Sequence, residues 1–159
     1  MKVGLGYDIH RLQKGEKLIL GGVEIPFDSG LQGHSDADVL THALIDALLG
    51  AMGMGDIGQH FPDSDQQYHN ISSLVLLEKV YEIMLEEKYE LNNADLILVA
   101  EKPKITPFSE SIVSNLSDKL NTEQQKINFK ATTAERLGFI GKGQGMSAKA
   151  IVSLASLSN

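Results

Sequence analysis

The sequence has 159 residues, a length that fits one compact domain of roughly 100–200 residues, so we predict a single domain over 1–159. Its 21 acidic side chains outnumber 14 basic ones and give a net charge of −7, which excludes a general nucleic-acid-binding surface. The absence of cysteine excludes disulfides, thiol catalysis and cysteine-based zinc sites, so a metal would have to use His, Asp or Glu. Because no apolar run is long enough to span a membrane and no leader is recognisable, we expect a cytoplasmic protein without membrane contact.

The predicted elements of the N-terminal half begin with extended segments and end with a helix and a loop. The helix is placed by Ser35 and Asp38, which form a capping-box pattern, and by apolar residues at helical spacing after them. The polar stretch that follows, with Gly58 and Pro62, is predicted to be a loop. In chain order, the elements are a strand over 2–6, a hairpin of 17–20 and 23–27 around Gly21-Gly22, a helix from Ser35 to Gly53 or Gly55, and a loop over 56–69.

The C-terminal half alternates helices with strands, a pattern that predicts an α/β layered fold. The last strand is apolar on both faces over 150–157, which indicates a central position in the sheet. The first helix of this half is predicted to bury Leu74, Leu77, Val80, Tyr81, Met84 and Leu85. In chain order, the elements are a helix over 71–87, a strand over 94–100, a helix from Pro107 to about Leu120, and strands over 126–132 and 148–157.

Three residues from two segments form a candidate metal site. Asp8 and His10 are two residues apart in an extended segment, which places both side chains on one face. His42 lies on the predicted helix and shares a face with Asp38 and Asp46. Together, Asp8, His10 and His42 would leave a fourth tetrahedral position open, as in catalytic zinc sites. The same spacing fits a turn aspartate, a surface histidine and a core histidine that is hydrogen-bonded to Asp38 or to the backbone.

His34 and Ser35 form a candidate anion site at the start of the predicted helix. Free N–H groups and the helix dipole favour an anion there. Ser35 has a simpler interpretation as the N-cap residue, whereas capping does not account for His34.

A glycine-rich segment near the C-terminus is a second candidate for ligand binding. Four glycines between Gly138 and Gly145 allow backbone N–H groups to approach a ligand closely. The segment is neither a Walker A loop nor a dinucleotide fingerprint. On their own, the preceding Thr132, Thr133 and Glu135 also fit ordinary strand-end and surface positions.

Five motifs follow one another along the whole chain. They are Asp8-x-His10; His34-Ser35-Asp36-Ala37-Asp38-Val39 with His42; Asp56-Ile57-Gly58 with Phe61-Pro62-Asp63-Ser64-Asp65; Ala100-x-x-Pro103-Lys104; and Lys130-Ala131-Thr132-Thr133-x-Glu135-x-Leu137-Gly138-Phe139. Together they resemble the 2-C-methyl-D-erythritol 2,4-cyclodiphosphate synthase family of the non-mevalonate isoprenoid pathway. The resemblance implies conversion of 4-diphosphocytidyl-2-C-methyl-D-erythritol 2-phosphate to the cyclic diphosphate with release of CMP. In that reaction the 2-phosphate of the substrate attacks its own β-phosphorus, so no protein nucleophile is required.

The resemblance also implies roles for individual residues. Asp8, His10 and His42 resemble the ligands of one zinc ion per chain, and Glu135 resembles a ligand of a magnesium (or manganese) ion that bridges the diphosphate. The resemblance further implies that His34 and Thr133 stabilise the transition state. It implies substrate contacts at the ribose by Asp56, Ile57 and Gly58, at the methylerythritol by Phe61, Pro62, Asp63, Ser64 and Asp65, and at the cytidine by Ala100, Glu101, Lys102, Pro103, Lys104, Ile105, Thr106, Ala131, Thr132 and Thr133. The remaining implied substrate contacts are those of Asp8, His10, His34, Ser35, Ala134, Glu135, Phe139 and Lys142.

The architecture that the resemblance implies is a mixed β-sheet with helices on one side, assembled as a homotrimer whose sheets surround a central cavity. Active sites would lie between subunits, and the cavity would hold an isoprenoid diphosphate. The family commonly has Gly-Arg-Gly-Glu-Gly where this chain has Lys142 and Gln144 between the glycines. Because Lys142 keeps the positive charge but lacks the bidentate fork of arginine, the ligand of the cavity stays open.

Two other functions are compatible with the same residues. A zinc-dependent phosphohydrolase would use the open metal position with water as the nucleophile. A trimeric isoprenoid-diphosphate-binding module would hold a structural metal and show no turnover. We expect the synthase activity over both, because the five motifs together are far more specific than any one of them.

Overall fold

The structure is a computed structural model that describes residues 1–62, 64–68 and 70–157. The strands are β1 (Lys2–Lys14), β2 (Leu18–Leu20), β3 (Val23–Ile25), β4 (Ser29–Leu31), β5 (Tyr89–Val99), β6 (Ile127–Thr132) and β7 (Gly145–Ser156). Five of them form one sheet in the order β4–β1–β7–β5–β6, and β2 and β3 form a separate hairpin. Because β5 and β6 are parallel and the other neighbours antiparallel, the sheet is mixed, as the resemblance implied.

The helices are α1 (Val39–Met52), α2 (Ile57–His60), α3 (Ser73–Glu86), α4 (Ser109–Lys119) and α5 (Gly138–Gly141), with 3₁₀ turns at Gln66–Tyr68, Thr106–Phe108 and Gln124–Lys126. Helix α1 is the most buried element and packs on β1 and β7. Helices α3 and α4 extend the same layer over β5 and β6. Within the described residues, no helix is both long and apolar enough to cross a membrane.

Two glycines on β1 allow α1 to approach the sheet very closely. A Cβ atom at Gly4 would lie 1.9 Å from the carbonyl oxygen of Ala47, and one at Gly6 would lie 1.9 Å from that of Ala43. Only glycine fits at both positions, since such distances are far below van der Waals contact. The close approach brings His42, which precedes Ala43 in α1, toward the strand that carries the first motif.

Among the described residues, none of the longer helices α1, α3 and α4 packs on the other face of the sheet. Val3, Leu5, Tyr7 and Ile9 alternate along β1 on this face, and Ile151 of β7 lies beside them. These five side chains are between 39% and 67% exposed. The three helices longer than one turn therefore lie on one side of the sheet, as expected.

Strand β7 lies at the centre of the sheet, as predicted, between β1 and β5. The prediction that it is apolar on both faces holds only in part. Its inner side chains are fully buried, whereas Ser153 on its outer face interrupts the apolar residues Ile151 and Ala155.

Helix α1 begins at Val39, so the prediction that it begins at Ser35 is wrong. Its N-cap is Asp38, whose Oδ1 accepts a backbone N–H of the first turn at 3.1 Å. Ala37 has a left-handed backbone with a φ of 55°, which interrupts any helix between Ser35 and Asp38. The predicted end is confirmed, because Gly53 closes the helix in the left-handed conformation.

Other boundaries differ where pairing or packing extends an element. Strand β1 continues to Lys14 because β7 and then β4 pair with it. The stretch 56–69, predicted as a loop, contains α2 and a 3₁₀ turn. Within α3, Leu85 is 40% exposed and Leu76 only 3%, so the predicted buried side was misplaced at these two positions.

Candidate active site

Asp8 and His10 of β1 meet His42 of α1 on the helix-covered side of the sheet. Asp8 Oδ2 lies 2.8 Å from His10 Nε2 and 3.0 Å from His42 Nδ1. The two ring nitrogens are 3.2 Å apart. The prediction that these three side chains converge is confirmed, and they are the one cluster of metal-ligand type among the residues that the structure describes.

The hydrogen bonding of the cluster suits a bound cation. His10 Nδ1 lies 2.9 Å from the carbonyl oxygen of Gln32, which can only accept, so Nδ1 carries the proton of the neutral ring. His10 Nε2 therefore directs a lone pair toward Asp8 Oδ2 and His42 Nδ1. A metal ion bound by these atoms would satisfy the lone pairs that meet there, and the donor set of one carboxylate and two imidazoles fits zinc.

The pKa values of the cluster point the same way. In the metal-free protein, burial raises the pKa of Asp8, but the hydrogen bonding and positive charge that His10 and His42 provide when a proton occupies the cluster outweigh burial and hold that pKa well below its usual range. Burial lowers the pKa of His10, but the hydrogen bond and charge of Asp8 outweigh it and leave the pKa raised. Both shifts show that positive charge is favoured where the three side chains meet.

A cavity of about 230 Å³ opens beside this cluster. His34 and Ser35 line it, together with Ile57, Gly58 and Phe61 from the segment around α2. The structure thus brings two of the predicted substrate-binding motifs to the candidate metal ligands. Of the other predicted residues in this segment, Asp56, Pro62, Ser64 and Asp65 are not among the residues that line the cavity, and Asp63 lies outside the described residues.

The shape of the segment around α2 depends on two aspartates. Asp56 is the N-cap of α2, and its Oδ1 accepts the N–H of Gln59 at 3.0 Å. Asp46 of α1 accepts the N–H of Ile57 at 2.8 Å. Asp46 therefore positions the segment and does not join the metal cluster.

The other carboxylate on the predicted helix face also has a structural role. Asp38 is fully buried and accepts the N–H of Gly22 at 2.8 Å as well as the first-turn donors of α1. The alternative interpretation that the ring of His42 is hydrogen-bonded to Asp38 is wrong, since the ring contacts Asp8. The backbone N–H of His42 does donate to the carbonyl oxygen of Asp38, at 3.0 Å.

A second cavity, of about 360 Å³, lies where the parallel strands β5 and β6 end. The carboxyl ends of parallel neighbours meet at one edge of a sheet, which is a common place for ligand binding. The lining residues are Ala100, Glu101, Lys102, Pro103, Lys104, Ile105, Thr106, Ala131, Thr132 and Thr133. The prediction that these two segments form one pocket is confirmed, whereas their role toward a nucleotide stays a proposal.

Glu101 shapes the segment that follows β6. Its Oε1 accepts the N–H groups of Ala134 and Arg136 at 2.9 and 3.1 Å. Glu135 and Arg136 have left-handed backbones, with φ of 51° and 62°. Thr133 donates its hydroxyl proton to Glu135 Oε1 at 2.6 Å. These contacts hold an exposed turn in a conformation that L-residues rarely adopt.

The second cavity and the metal cluster are not joined within one chain. Asp8 pairs with Ala148, Ala148 with Leu98, and Leu98 with Ala131. Three strand spacings of about 4.8 Å separate Asp8 from Ala131 by roughly 14 Å. The two cavities share no lining residue among those described. Thr133 and Glu135 therefore do not lie with Asp8, His10 and His42 in the single chain.

Phe139 and Lys142 lie in two neighbouring cavities. Phe139 lines one of about 630 Å³ with residues of β1, including Arg11. Lys142 lines one of about 450 Å³ with Lys102 and Arg136. His10 of the metal cluster also lines the cavity of Phe139, whereas none of the three candidate ligands lines the cavity of Lys142.

The sequence interpretation missed the residues that surround the ligands. Ser73 contacts His42, the carbonyl of Gln32 orients His10, and Tyr68 and Leu76 line the first cavity. All four are far along the chain from the residue or cavity that they contact. Spacing and periodicity carry no signal for such contacts, since only the folded chain brings them together.

Comparison with known proteins identifies the relatives of this chain. The sequence model of the YgbB family matches residues 1–155. A 2-C-methyl-D-erythritol 2,4-cyclodiphosphate synthase from Clostridium beijerinckii is 54% identical over 157 residues, which cover 99% of each chain. One from Lachnospira eligens is 54% identical over 159 residues, which cover all of this chain and 87% of that one.

Solved structures agree with the sequence matches. A CDP-bound 2C-methyl-D-erythritol-2,4-cyclodiphosphate synthase has a TM-score of 0.89 at 37% identity, covering 96% of this chain and 99% of that one. IspF of Plasmodium falciparum in complex with CDP has a TM-score of 0.87 at 32% identity, covering 99% and 97%. The bifunctional IspDF of Campylobacter jejuni has a TM-score of 0.95 at 41% identity, and this chain spans 42% of it.

The mixed sheet, the one-sided helix layer and the aspartate–histidine–histidine cluster beside a cavity are the features of a candidate metal-dependent enzyme. The chain belongs to the YgbB family, whose curated relatives are named 2-C-methyl-D-erythritol 2,4-cyclodiphosphate synthase. The family resemblance of the five motifs is confirmed.

Proposed function

We propose that this chain is a phosphorus–oxygen lyase of the non-mevalonate isoprenoid pathway. It converts 4-diphosphocytidyl-2-C-methyl-D-erythritol 2-phosphate to 2-C-methyl-D-erythritol 2,4-cyclodiphosphate and releases CMP. The observation that carries the proposal is the convergence of Asp8, His10 and His42 at 2.8–3.2 Å beside a cavity lined by His34 and Ser35. Full-length relatives at 54% identity support it.

Two metal ions belong to the proposal. Zinc, one ion per chain, would be held by Asp8, His10 and His42, and magnesium or manganese by Glu135. When bound, these ions supply Lewis-acid stabilisation of charge on phosphate oxygens. The preference for zinc rests on the donor set, and the role of Glu135 rests on its place in the fifth motif.

The reaction requires position and charge from the protein and no covalent intermediate. An oxygen of the 2-phosphate forms a bond to the β-phosphorus, the bond from that phosphorus to the bridging oxygen breaks, and CMP leaves with the electron pair. His34 and Thr133 can donate hydrogen bonds to the phosphate oxygens on which charge develops. The segment around Asp56 and Phe61 would fold the substrate back so that the reacting groups meet.

The pocket at the ends of β5 and β6 is the proposed cytidine site. Lys104 lines it as an exposed cation, together with Pro103 and Ala131. Backbone N–H and C=O groups can read the edge of a base, and Pro103 limits the ordering cost of the loop. The CDP complexes of structural relatives support a cytidine nucleotide as the ligand.

The proposed assembly is a homotrimer, each subunit a single domain, with active sites between subunits. The apolar side chains Val3, Leu5, Tyr7, Ile9 and Ile151 on the open face of the sheet support burial by other copies of the chain. The separation of the metal cluster from the cytidine pocket supports a site completed by a neighbour. An isoprenoid diphosphate in the central cavity, near Phe139 and Lys142, and a cytoplasmic location also belong to this proposal.

The product of the reaction tests the proposal. Purified protein is incubated with the cytidylylated substrate and metal ions, and the products are resolved by phosphorus NMR. We expect equimolar cyclic diphosphate and CMP. Inorganic phosphate or an open-chain diphosphate would indicate a phosphohydrolase, and tight metal binding without turnover would indicate a binding module.

A further inference from the structure

The side of the His42 ring that faces away from Asp8 contacts a buried hydroxyl. His42 Nε2 lies 2.8 Å from Ser73 Oγ. Ser73 is the first residue of α3 and is fully buried. Its hydroxyl makes a short contact with Asp36 Oδ1, and its N–H donates to Asp36 Oδ2 at 2.9 Å. His42, Ser73 and Asp36 thus form a continuous hydrogen-bonded chain.

The direction of each hydrogen bond in this chain follows from the groups that form it. A carboxylate only accepts, so Ser73 donates its single hydroxyl proton to Asp36. Ser73 Oγ then has only lone pairs left for His42, and His42 Nε2 must carry the proton between them. Because a neutral imidazole has one ring proton, Nδ1 keeps its lone pair, and Nδ1 is the atom that lies 3.0 Å from Asp8 Oδ2.

We propose that Ser73 and Asp36 are positioning residues that hold His42 in the tautomer and orientation required for metal binding. The proposal rests on the proposed metal site at Asp8, His10 and His42. Partners outside the ligand set that fix a histidine ligand commonly contribute 10–100-fold to metal affinity. The carbonyl of Gln32 accepts the proton of the His10 nitrogen that faces away from the proposed metal. Ser73, held by Asp36, accepts the corresponding proton of His42.

Capping of α3 does not explain the Ser73 hydroxyl. The N-cap of α3 is Ser72, whose Oγ accepts the N–H of Leu74 at 3.3 Å. The Ser73 hydroxyl makes its contacts with Asp36 and His42 instead. Ser72 therefore stabilises the start of α3, whereas the hydroxyl of Ser73 orients His42.

Ser35 provides partial redundancy. Its Oγ lies 3.1 Å from His42 Nε2 and accepts the N–H of Ala37 at 3.2 Å. In the absence of the Ser73 hydroxyl, Ser35 can still accept from Nε2 at this longer distance. We therefore expect the loss in Ser73→Ala to be about tenfold, at the lower end of the range for such partners.

The test measures metal binding and does not depend on turnover. Metal-free wild type, Ser73→Ala, Ser72→Ala and His42→Ala are titrated with Zn²⁺ against a chelator, and with Co²⁺ while its visible absorption is recorded. The free energy of unfolding of each metal-free protein is measured in urea. Ser73→Ala should bind Zn²⁺ about tenfold more weakly and change the Co²⁺ spectrum. Ser72→Ala should lose stability and keep the wild-type affinity and spectrum.

A second variant addresses the case in which Ser73→Ala folds poorly. Asp36→Asn places an amide beside Ser73, and the amide NH₂ can donate to Ser73 Oγ. Ser73 would then donate to His42 Nε2, which puts the ring proton on Nδ1 and blocks the ligand atom. Asp36→Asn should therefore weaken Zn²⁺ binding at least as much as Ser73→Ala does.

The outcomes separate this inference from the metal site itself. Equal Zn²⁺ affinity in wild type and His42→Ala would overturn the metal site and the inference together. Loss of binding in His42→Ala with wild-type affinity in both Ser73→Ala and Asp36→Asn would leave the metal site standing and overturn the positioning role. Weakened binding in both variants, with Ser72→Ala unchanged, would support the inference.

Discussion

The metal cluster and the turn after β6 carry the two most specific motifs of the chain, yet they are held in opposite ways. Asp8, His10 and His42 have side chains only 12–24% exposed, and each ligand atom already contacts another. Thr133 and Glu135 are exposed and contact mainly each other. The side chains of the metal cluster are fixed by contacts within the chain, whereas those of the turn after β6 lie on the surface.

The difference indicates which part of the site a single chain can complete. A metal site must exist before substrate arrives, so its ligands are fixed by the packing of α1 against Gly4 and Gly6. In the proposed homotrimer, the turn after β6 would close on substrate together with a neighbouring subunit, and it would need only a fixed backbone to do so. Glu101 fixes the backbone of this turn through its hydrogen bonds to the N–H groups of Ala134 and Arg136. The following predictions act on one region at a time.

The largest effect is expected from His42→Ala. The variant should retain its fold, lose zinc and lose more than about 100-fold in turnover, because even partners outside the ligand set contribute 10–100-fold. Zinc content and product formation are measured together. The matched control is His60→Gln, which keeps a donor for the Met54 carbonyl, 2.8 Å from His60 Nε2. Full zinc occupancy in His42→Ala would show that the ligands are misassigned.

Glu101→Ala should weaken CDP binding about tenfold while zinc content stays at the wild-type level. The change removes two charge-assisted hydrogen bonds, each worth about 1.5–3 kcal/mol, that hold the turn at Ala134 and Arg136. Calorimetric titration with CDP measures the effect, and Glu90→Ala, which removes an exposed carboxylate on the preceding strand β5, is the control. A parallel loss of zinc would show that the two regions are not independent.

CMP or CDP should protect the protein thermally, and purine nucleotides should protect it much less. At 100 times Kd, a ligand stabilises the folded state by about 2.7 kcal/mol, which raises Tm by several degrees in a chain of this size. Melting curves with CDP and GDP at equal concentration make the comparison. Equal protection by GDP would mean that the pocket recognises phosphate and not the base.

The smallest effect is a pH dependence of the metal-free protein. Because the pKa of Asp8 lies below its usual 3.8, its contribution to stability is present above that value and is lost as pH falls through the lowered pKa. Because the pKa of His10 lies above its usual 6.5, its contribution is present below that value and is lost as pH rises through the raised pKa.

The ion pair between Asp8 and His10 therefore stabilises the metal-free protein most between pH 3.8 and pH 6.5. Metal binding needs neutral imidazoles, so zinc should reverse the trend and stabilise the protein more as pH rises through the pKa of His10. Urea unfolding at pH 6 and pH 8, with and without zinc, measures both slopes. The same slope in both forms would contradict a metal at His10.

The sequence predicts contacts that follow from local spacing and does not predict contacts that only the folded chain creates. Period-two spacing places Asp8 and His10 on one face, and the convergence with His42 follows from the motifs. The helix start was misplaced because Ala37 adopts a left-handed backbone, which no propensity of alanine predicts. Ser73 and Gln32 reach the histidines only through the folded chain, so their roles were invisible in the sequence.

The open question between the two regions is whether one active site needs two chains. His42→Ala and Thr133→Ala, each nearly inactive alone, are co-refolded in equal amounts, and native mass spectrometry confirms mixed trimers. In a random mixture, about a quarter of the subunit boundaries join an intact metal cluster to an intact turn, so about a quarter of wild-type activity should return. Mixed trimers whose activity stays at the level of the parents would contradict a site shared between subunits.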